Sequence, residues 1–286
     1  MLAPKAATVN PTTARPFVKR KMNKAELSEI VRGIYTAHNM PVPASWTCKS
    51  AASAVVGVVI IDGITWPVWK AEYSARPSVI WVTHLTGKLD TIPGITTHCG
   101  LNPLCLERMK RGNLICSQCF AEKTLSRYDG ADEHAALNTL LLAYHKIPAD
   151  LVPLFTNSIK ARLEPFGDLQ NTQQAENYFT IIDANRQTRF GWWTKNPGFI
   201  ASILKTRTRP ENVSFILSES FLDGGQQPTM EQIKALFPFI DHRFTVYRPE
   251  TIKADGVKVN CGARCCGTCG LCYDRNTAFE IIEKMK

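Results

Sequence analysis

Nine of the ten cysteines fall into two short stretches, and no other feature constrains this chain as tightly. The first group is Cys99, Cys105, Cys116 and Cys119, within HCGLNPLCLERMKRGNLICSQCFAE; the second is Cys261, Cys265, Cys266, Cys269 and Cys272, within NCGARCCGTCGLCYD. Five thiols within twelve residues have no hydrophobic rationale, and the glycines between them suit a backbone folded closely about a ligand. Disulfides are the competing reading. The N-terminal stretch lacks the apolar core of a secretory leader, so a cytoplasmic setting is expected, where thiols stay reduced. The two groups therefore read as metal ligands. Cys48 stands alone and reads as a small buried hydrophobe.

Spacing bears on which metal. Zinc takes four tetrahedral ligands, commonly from two Cys-x-x-Cys knuckles; Cys116–Cys119 is one such pair, and Cys266–Cys269 or Cys269–Cys272 another. Iron–sulfur clusters take thiolates from closely spaced runs. Cys266, Cys269 and Cys272 form Cys-x-x-Cys-x-x-Cys, the local run of bacterial ferredoxins, which favours a cluster over zinc alone. Cys265, Cys269 and Cys272 also match the Cys-x3-Cys-x2-Cys of radical S-adenosylmethionine enzymes. That match is weak: it lies near the end of the chain, Leu271 stands where an aromatic is usual, and the Cys265–Cys266 doublet generates such matches by chance. Eight thiols suffice for two four-thiolate sites, with Cys265 or Cys266 left over. One shared site is the alternative.

The rest of the chain reads as an α/β domain of ordinary globular composition. The Pro/Thr/Ala-rich, basic residues 1–22 read as a mobile tail. Residues 23–78 read as a helical extension packed on the core. It opens with an Asn23/Glu26 capping box and a Leu27, Ile30, Val31, Ile34, Tyr35 stripe. The apolar stretch from Ala54 to Ile61 stops at Asp62, far short of the roughly 20 residues of a membrane span. Residues 79–286 carry both cysteine groups. Strands are expected at 79–84, 158–163, 189–194, 213–218 and 243–247, with a short one in GVKVN before Cys261. Helices are expected at about 116–128, 134–146, 196–206, 230–237 and 276–286. Alternating strands and helices predict a parallel sheet with crossover helices, as a partial or irregular (β/α) barrel or an open doubly wound sheet. Function then belongs at the C-terminal strand ends, where Glu164, Gly167–Asp168, Thr194–Lys195–Asn196 and Ser218–Glu219–Ser220 lie. Both cysteine groups are expected to meet them at that face.

Asp168 and Lys195 are the candidates for acid–base work, with a structural pairing as the equal alternative. His98, beside Cys99, is a minor candidate ligand or donor to cluster sulfur. No Gly-x-Ser-x-Gly nucleophile elbow and no phosphate-binding glycine loop is present.

Together ICSQCFAE, RLEPFGDLQN, FGWWTKNPGF and NCGARCCGTCGLCYD resemble bacteriophage proteins of the gene product 88 type, a family similar to the radical S-adenosylmethionine barrel. The resemblance covers roughly residues 79–286. It implies a barrel-like fold, a phage origin and a 4Fe–4S cluster, one or two in number, on Cys99, Cys105, Cys116, Cys119, Cys261, Cys266, Cys269 and Cys272, with Cys265 as alternative to Cys266. The Cys-x-x-Cys-Phe-Ala element falls on Cys116–Ala121, a Gly-Asp on Gly167–Asp168 and a Thr-Lys on Thr194–Lys195. Because the first strand lacks Cys-x3-Cys-x2-Cys, non-radical chemistry is expected, with ester-type hydrolysis at an open iron as the leading form. Zinc remains the alternative or second metal.

The net charge of +9 and the aromatic–basic segment Arg189–Lys195 carry the rival reading, a zinc-stabilised nucleic-acid-binding protein. A structural or redox-sensing cluster in a host-interaction protein is the third. A small-molecule substrate or a host protein is the expected partner, in the host cytoplasm and without a membrane.

Overall fold

The computed structural model describes residues 17–42, 51–70, 73–112, 114–125, 127, 130–155, 159–225, 228–262, 265–277 and 279–285. Cys48 and most of the basic tail lie outside them.

The N-terminal part is less helical than the sequence suggests. β1 (Val18–Lys19) precedes α1 (Lys24–Ala37), whose capping box is present as expected: Glu26 N donates to Asn23 Oδ1 at 3.0 Å, and Asn23 N to Glu26 Oε2 at 2.9 Å. After one turn of helix, α2 (Ala51–Ala54), comes a hairpin of β2 (Val55–Ile61) and β3 (Ile64–Trp69), with β1 against β2. The hairpin turns on Asp62 and Gly63, at φ +49° and +79°. Two successive left-handed residues form the two-residue turn whose twist matches that of paired strands, and Asp-Gly is its usual sequence. The segment 23–78 is therefore helix plus hairpin, and β1 from the preceding residues completes a three-stranded antiparallel sheet. Its Leu27, Ile34, Trp66 and Trp69 share one hydrophobic core with the rest of the chain.

The main sheet has seven strands in the order β10-β9-β8-β7-β6-β5-β4. β4 (Thr83–His84) pairs antiparallel with β5 (Pro93–Ile95), and all other pairs are parallel. α3 (Pro103–Met109), α4 (Phe120–Leu125) and α5 (Ala131–Tyr144) join β5 to β6 (Lys160–Leu163). There follow α6 (Thr172–Ala184), β7 (Arg189–Thr194), α7 (Pro197–Leu204), β8 (Val213–Ser218), α8 (Met230–Leu236), β9 (His242–Tyr247), α9 (Pro249–Asp255), the single turn α10 (Cys266–Cys269) and β10 (Glu280–Lys284). From β5 onward each strand pairs with its successor. There is no reversal of order such as a doubly wound sheet has, and the sheet is open, with β4 and β10 at its edges.

Winding in one direction is expected to put the crossover helices on one face, because such connections are right-handed as a rule. β7 shows how its sequence serves both faces. Phe190 and Trp192 are wholly buried, with Trp192 against Tyr178 and Phe179 of α6 and Phe215 of β8. Gly191 and Trp193 face the other way, and a Cβ at Gly191 would run into the Trp193 ring and crowd Tyr273. That second face is covered by the C-terminal cysteine segment, since Tyr273, Cys266 and Cys272 pack with Ile92, Trp193 and Ile216.

Several expected elements change. The strand at 79–84 shrinks to β4, and the cysteine loop follows β5 instead. The helix at 116–128 becomes a 3-10 turn at Ile115–Gln118 followed by α4. GVKVN is a loop, and 276–286 forms β10 rather than a helix, pairing Glu280–Lys284 with Arg243–Tyr247. Among the described residues, no helix is long and apolar enough to cross a membrane.

Candidate functional site

The first cysteine group gathers over the C-terminal ends of β5 to β8. β5 delivers Thr97, His98 and Cys99. Asn102 caps α3, accepting from Leu104 N at 2.9 Å, and Pro103 fits the first turn, which needs no N–H. Asn102 also donates to the Asp168 carbonyl at 2.8 Å and so ties α3 to the loop after β6. Cys105 and Arg108, three residues apart on α3, share a face turned to Asp168: Arg108 Nη1 lies 3.3 Å from Asp168 Oδ2, and Cys105 feels the Asp168 charge.

Asp168 is the hub of this end. Its carboxylate, 5% exposed, accepts from Thr194 Oγ1 at 2.7 Å, Leu169 N at 2.8 Å and Lys195 N at 3.1 Å, besides Arg108. Burial pushes its pKa up, while Lys195, Thr194 and Arg108 pull the other way. Lys195 turns its ammonium to β8, donating to Ser218 Oγ at 2.6 Å and to the carbonyls of Ser218 and Glu219 at 3.3 Å. Beneath lies Glu164, at φ +57° and 2% exposed, which accepts from Thr97 N at 3.2 Å, Thr97 Oγ1 at 2.9 Å, Gln174 Nε2 and the Tyr178 hydroxyl. Burial pushes its pKa up to about 7.

Gly167 is fixed by this packing, because a Cβ there would overlap Thr97 and the Glu164 carboxylate. Gly167→Ala is expected to lower stability by about 1–3 kcal/mol through forced displacement of that network. A denaturant titration checks it, and an unchanged midpoint would show that the loop yields freely.

The thiols share one environment. Cys99 and Cys119 have their sulfurs 4.0 Å apart, within reach of a thiol hydrogen bond. Hydrogen bonding to Cys99, together with the N–H groups of Glu122 and Ala121, draws Cys119 down to about 6, and Cys99 is pushed up. Burial raises Cys105 and Cys116; Cys105 feels Cys116, and Cys116 feels Cys119 and the cations Lys195 and Arg108. His98 has both ring nitrogens engaged, Nδ1 accepting from Gly100 N at 2.9 Å and Nε2 lying 2.6 Å from Asp132 Oδ1. It orients the loop and points no free nitrogen at the thiols.

The second group is assembled elsewhere. Cys261, Cys266, Cys269 and Cys272 line one small open hollow with Lys88, Gly270, Leu271 and Tyr273, and Cys265 is outside that lining. Cys261 N donates to Ile282 O of β10 at 3.0 Å. The α10 turn ends on Gly270 at φ +71°, a position where Lys160 also presses close. Burial pushes Cys261 up to about 11 and Cys272 up to about 12, the latter opposed by Arg162. Lys88 donates to the Cys261 carbonyl and to Glu283, each at 3.2 Å. Just after this group, Arg275 Nε donates to the carbonyl of Val213, where β8 begins, and Lys160, where β6 begins, donates to that of Gly267.

Hence the expected meeting of both groups with the polar strand ends is not what the fold builds. The first group meets Asp168, Lys195 and Ser218; the second covers the non-helical face and reaches toward the N-terminal ends. The loop form of GVKVN is the reason, since no strand there delivers Cys261 to the C-terminal edge. Among the described residues, no three His, Cys, Asp or Glu side chains stand closely enough as placed to hold a metal ion. The aromatic–basic segment is also not a surface: Trp192 is wholly buried and Trp193 is 6% exposed.

Sequence reasoning missed Arg108, Arg162, Lys88 and Tyr273. For Arg108 a signal existed in the Asn102-Pro103 start of α3, which turns an apparent loop into a helix with Cys105 and Arg108 on one side. The other three become neighbours of the thiols only through pairing distant in sequence.

The family described as Gene product 88 matches residues 16–275. No curated protein and no solved structure matches the chain significantly.

Proposed function

The chain belongs to the gene product 88 family, and on that premise we propose that it is a phage-type iron–sulfur protein acting in the host cytoplasm. The observation that carries this reading is the sorting of eight cysteines into two sets of four: Cys99, Cys105, Cys116 and Cys119 in mutual electrostatic contact, and Cys261, Cys266, Cys269 and Cys272 around one hollow. Four thiolates are the complement of a 4Fe–4S cluster. The donor chemistry fits. Burial keeps most of these thiols protonated, an arrangement that a cationic centre would reverse, and Arg108, Lys195, Arg162 and Lys88 stand by to offset the anionic charge that results. The one-way winding of the sheet supports the partial-barrel kinship with radical S-adenosylmethionine enzymes.

Bound at the first set, a cluster with one iron free of thiolate would supply Lewis acidity for ester-type hydrolysis, and a fully ligated one would supply electron storage. Around it the chain's own residues form a rigid polar floor. Asp168 fixes Thr194 and Arg108, Lys195 holds the β8 end, and Glu219 keeps one buried carboxylate oxygen without a partner for a substrate donor.

Anaerobic purification followed by iron, acid-labile sulfide and zinc determination tests this. About eight irons and eight sulfides per chain are expected, falling to about four in the double variant C266S/C272S and likewise to about four in the separate double variant C116S/C119S. Zinc without sulfide would replace the reading by one of structural zinc sites. Full iron with no hydrolysis of any aryl ester would leave the redox-sensing, host-interaction form.

A further inference from the structure

Three polar atoms on the non-helical face of the sheet are buried without a hydrogen-bond partner: Arg162 Nε on β6, Trp193 Nε1 on β7 and the hydroxyl of Tyr273. They form one wall. The Arg162 guanidinium lies 3.8 Å over the Trp193 ring, and the Trp193 and Tyr273 rings are 6.2 Å apart. Trp193 is 6% and Tyr273 5% exposed. Native folds leave few such groups unsatisfied, and three together call for a missing acceptor.

Cysteines are their neighbours. Trp193 and Tyr273 pack with Cys266 and Cys272, Tyr273 lines the thiol hollow, and the Arg162 charge acts on both cysteines. A neutral thiol is a weak acceptor, whereas a thiolate on a metal cluster carries negative charge and accepts hydrogen bonds well. We propose that Arg162, Trp193 and Tyr273 donate hydrogen bonds to the sulfurs of an anionic iron–sulfur cluster held by Cys261, Cys266, Cys269 and Cys272, and that they raise its reduction potential. The inference rests on the iron–sulfur reading above and adds to it the tuning of this one site. Reduction adds negative charge, and fixed donors plus a half-buried guanidinium stabilise the reduced form more than the oxidised one. Lys88 at the rim of the hollow adds a cation of the same sense.

These are positioning residues, and the test reads the potential. The anaerobically purified full chain is titrated with dithionite against redox mediators, with iron counted in every sample. Trp193→Phe and Tyr273→Phe each remove one donor and keep the ring. Each is expected to retain its iron and to lower the reduced-to-oxidised ratio at fixed poise several-fold. Arg162→Gln is expected to lower it at least tenfold, a shift of 59 mV for a one-electron couple, and Arg162→Lys, which keeps the charge and loses the Nε donor, falls between. Ratios within twofold of the parent in all four variants would overturn the proposal and leave the iron–sulfur reading standing. So would a C266S/C272S variant with unchanged iron and potential, because the cluster would then sit on the first set. A parent protein without iron or sulfide would remove both readings together.

Discussion

Asp168→Ala is expected to lower the unfolding free energy by about 3–5 kcal/mol, the cost of taking one partner out of a buried, hydrogen-bonded charge group. The carboxylate is a convergence point for three chain segments. Thr194 and Lys195 reach it from the end of β7, Arg108 from α3 and the Leu169 amide from its own loop. Alanine leaves the Arg108 guanidinium, 18% exposed in its side chain, facing a cavity with no countercharge. It also frees the Thr194 hydroxyl and two backbone amides in a site closed to water, each unpaired donor costing about 1–3 kcal/mol before the loop relaxes. Asp168→Asn keeps an acceptor for Thr194 but loses the charge, so a smaller loss, on the order of 2 kcal/mol, is expected from it. Equilibrium denaturation of the three proteins in one buffer measures both. An alanine variant within about 1 kcal/mol of the parent would mean that water replaces the carboxylate and that Asp168 is not the anchor of this end.

The same residue shows what the sequence could reveal. Asp168 and Lys195 were visible as polar residues just past apolar strands, because a β-strand followed by a charged loop has a clear periodicity and a predictable functional edge. Their joining at the end of β7 was not visible, since 27 residues and a whole helix separate the pair. The C-terminal segment failed for a different reason. Phe279, Ile282 and Met285 repeat every three residues and mimic one helical face, yet the edge of β9 offers five successive pairing positions, and ladder hydrogen bonds outweigh a weak helical stripe in so short a run. In the N-terminal part the sequence does carry a strand signal. Ile61-Asp62-Gly63-Ile64 carries the Asp-Gly turn between apolar residues that marks a tight hairpin. The cysteine groups were plain at once, but which thiols share a site depends on how 286 residues fold back, and that is written in the strand order rather than in any spacing.

Glu164 leads to the second large effect, a dependence of stability on pH. Its folded pKa is about 7 against an ordinary 4.5, raised first by burial and also by the nearby Asp168 charge, and opposed by the Tyr178 and Thr97 donors. Between those two values the folded chain binds a proton that the unfolded chain has released. Stability from this group is therefore fully present below about pH 4.5 and is lost as pH rises through 7, by roughly 3 kcal/mol in all. The direction is opposite to that of an exposed, salt-bridged carboxylate. Glu164→Gln removes the titration, so the stability difference between parent and variant should shrink or invert as pH rises from about 4.5 to 8, other groups cancelling in the comparison. Two parallel stability curves across that range would show that Glu164 is ionised in the fold throughout. The effect reaches the candidate site through Gln174, which donates to Glu164 and, at 3.3 Å, to the carbonyl of Asp168. Above neutrality a buried carboxylate charge then forms directly under the loop that holds Asp168, opposing anionic thiolates at the first cysteine set. If the first set holds the proposed cluster, its retention through Cys105, which feels both Asp168 and Glu164, should weaken over the same interval in the parent and not in Glu164→Gln.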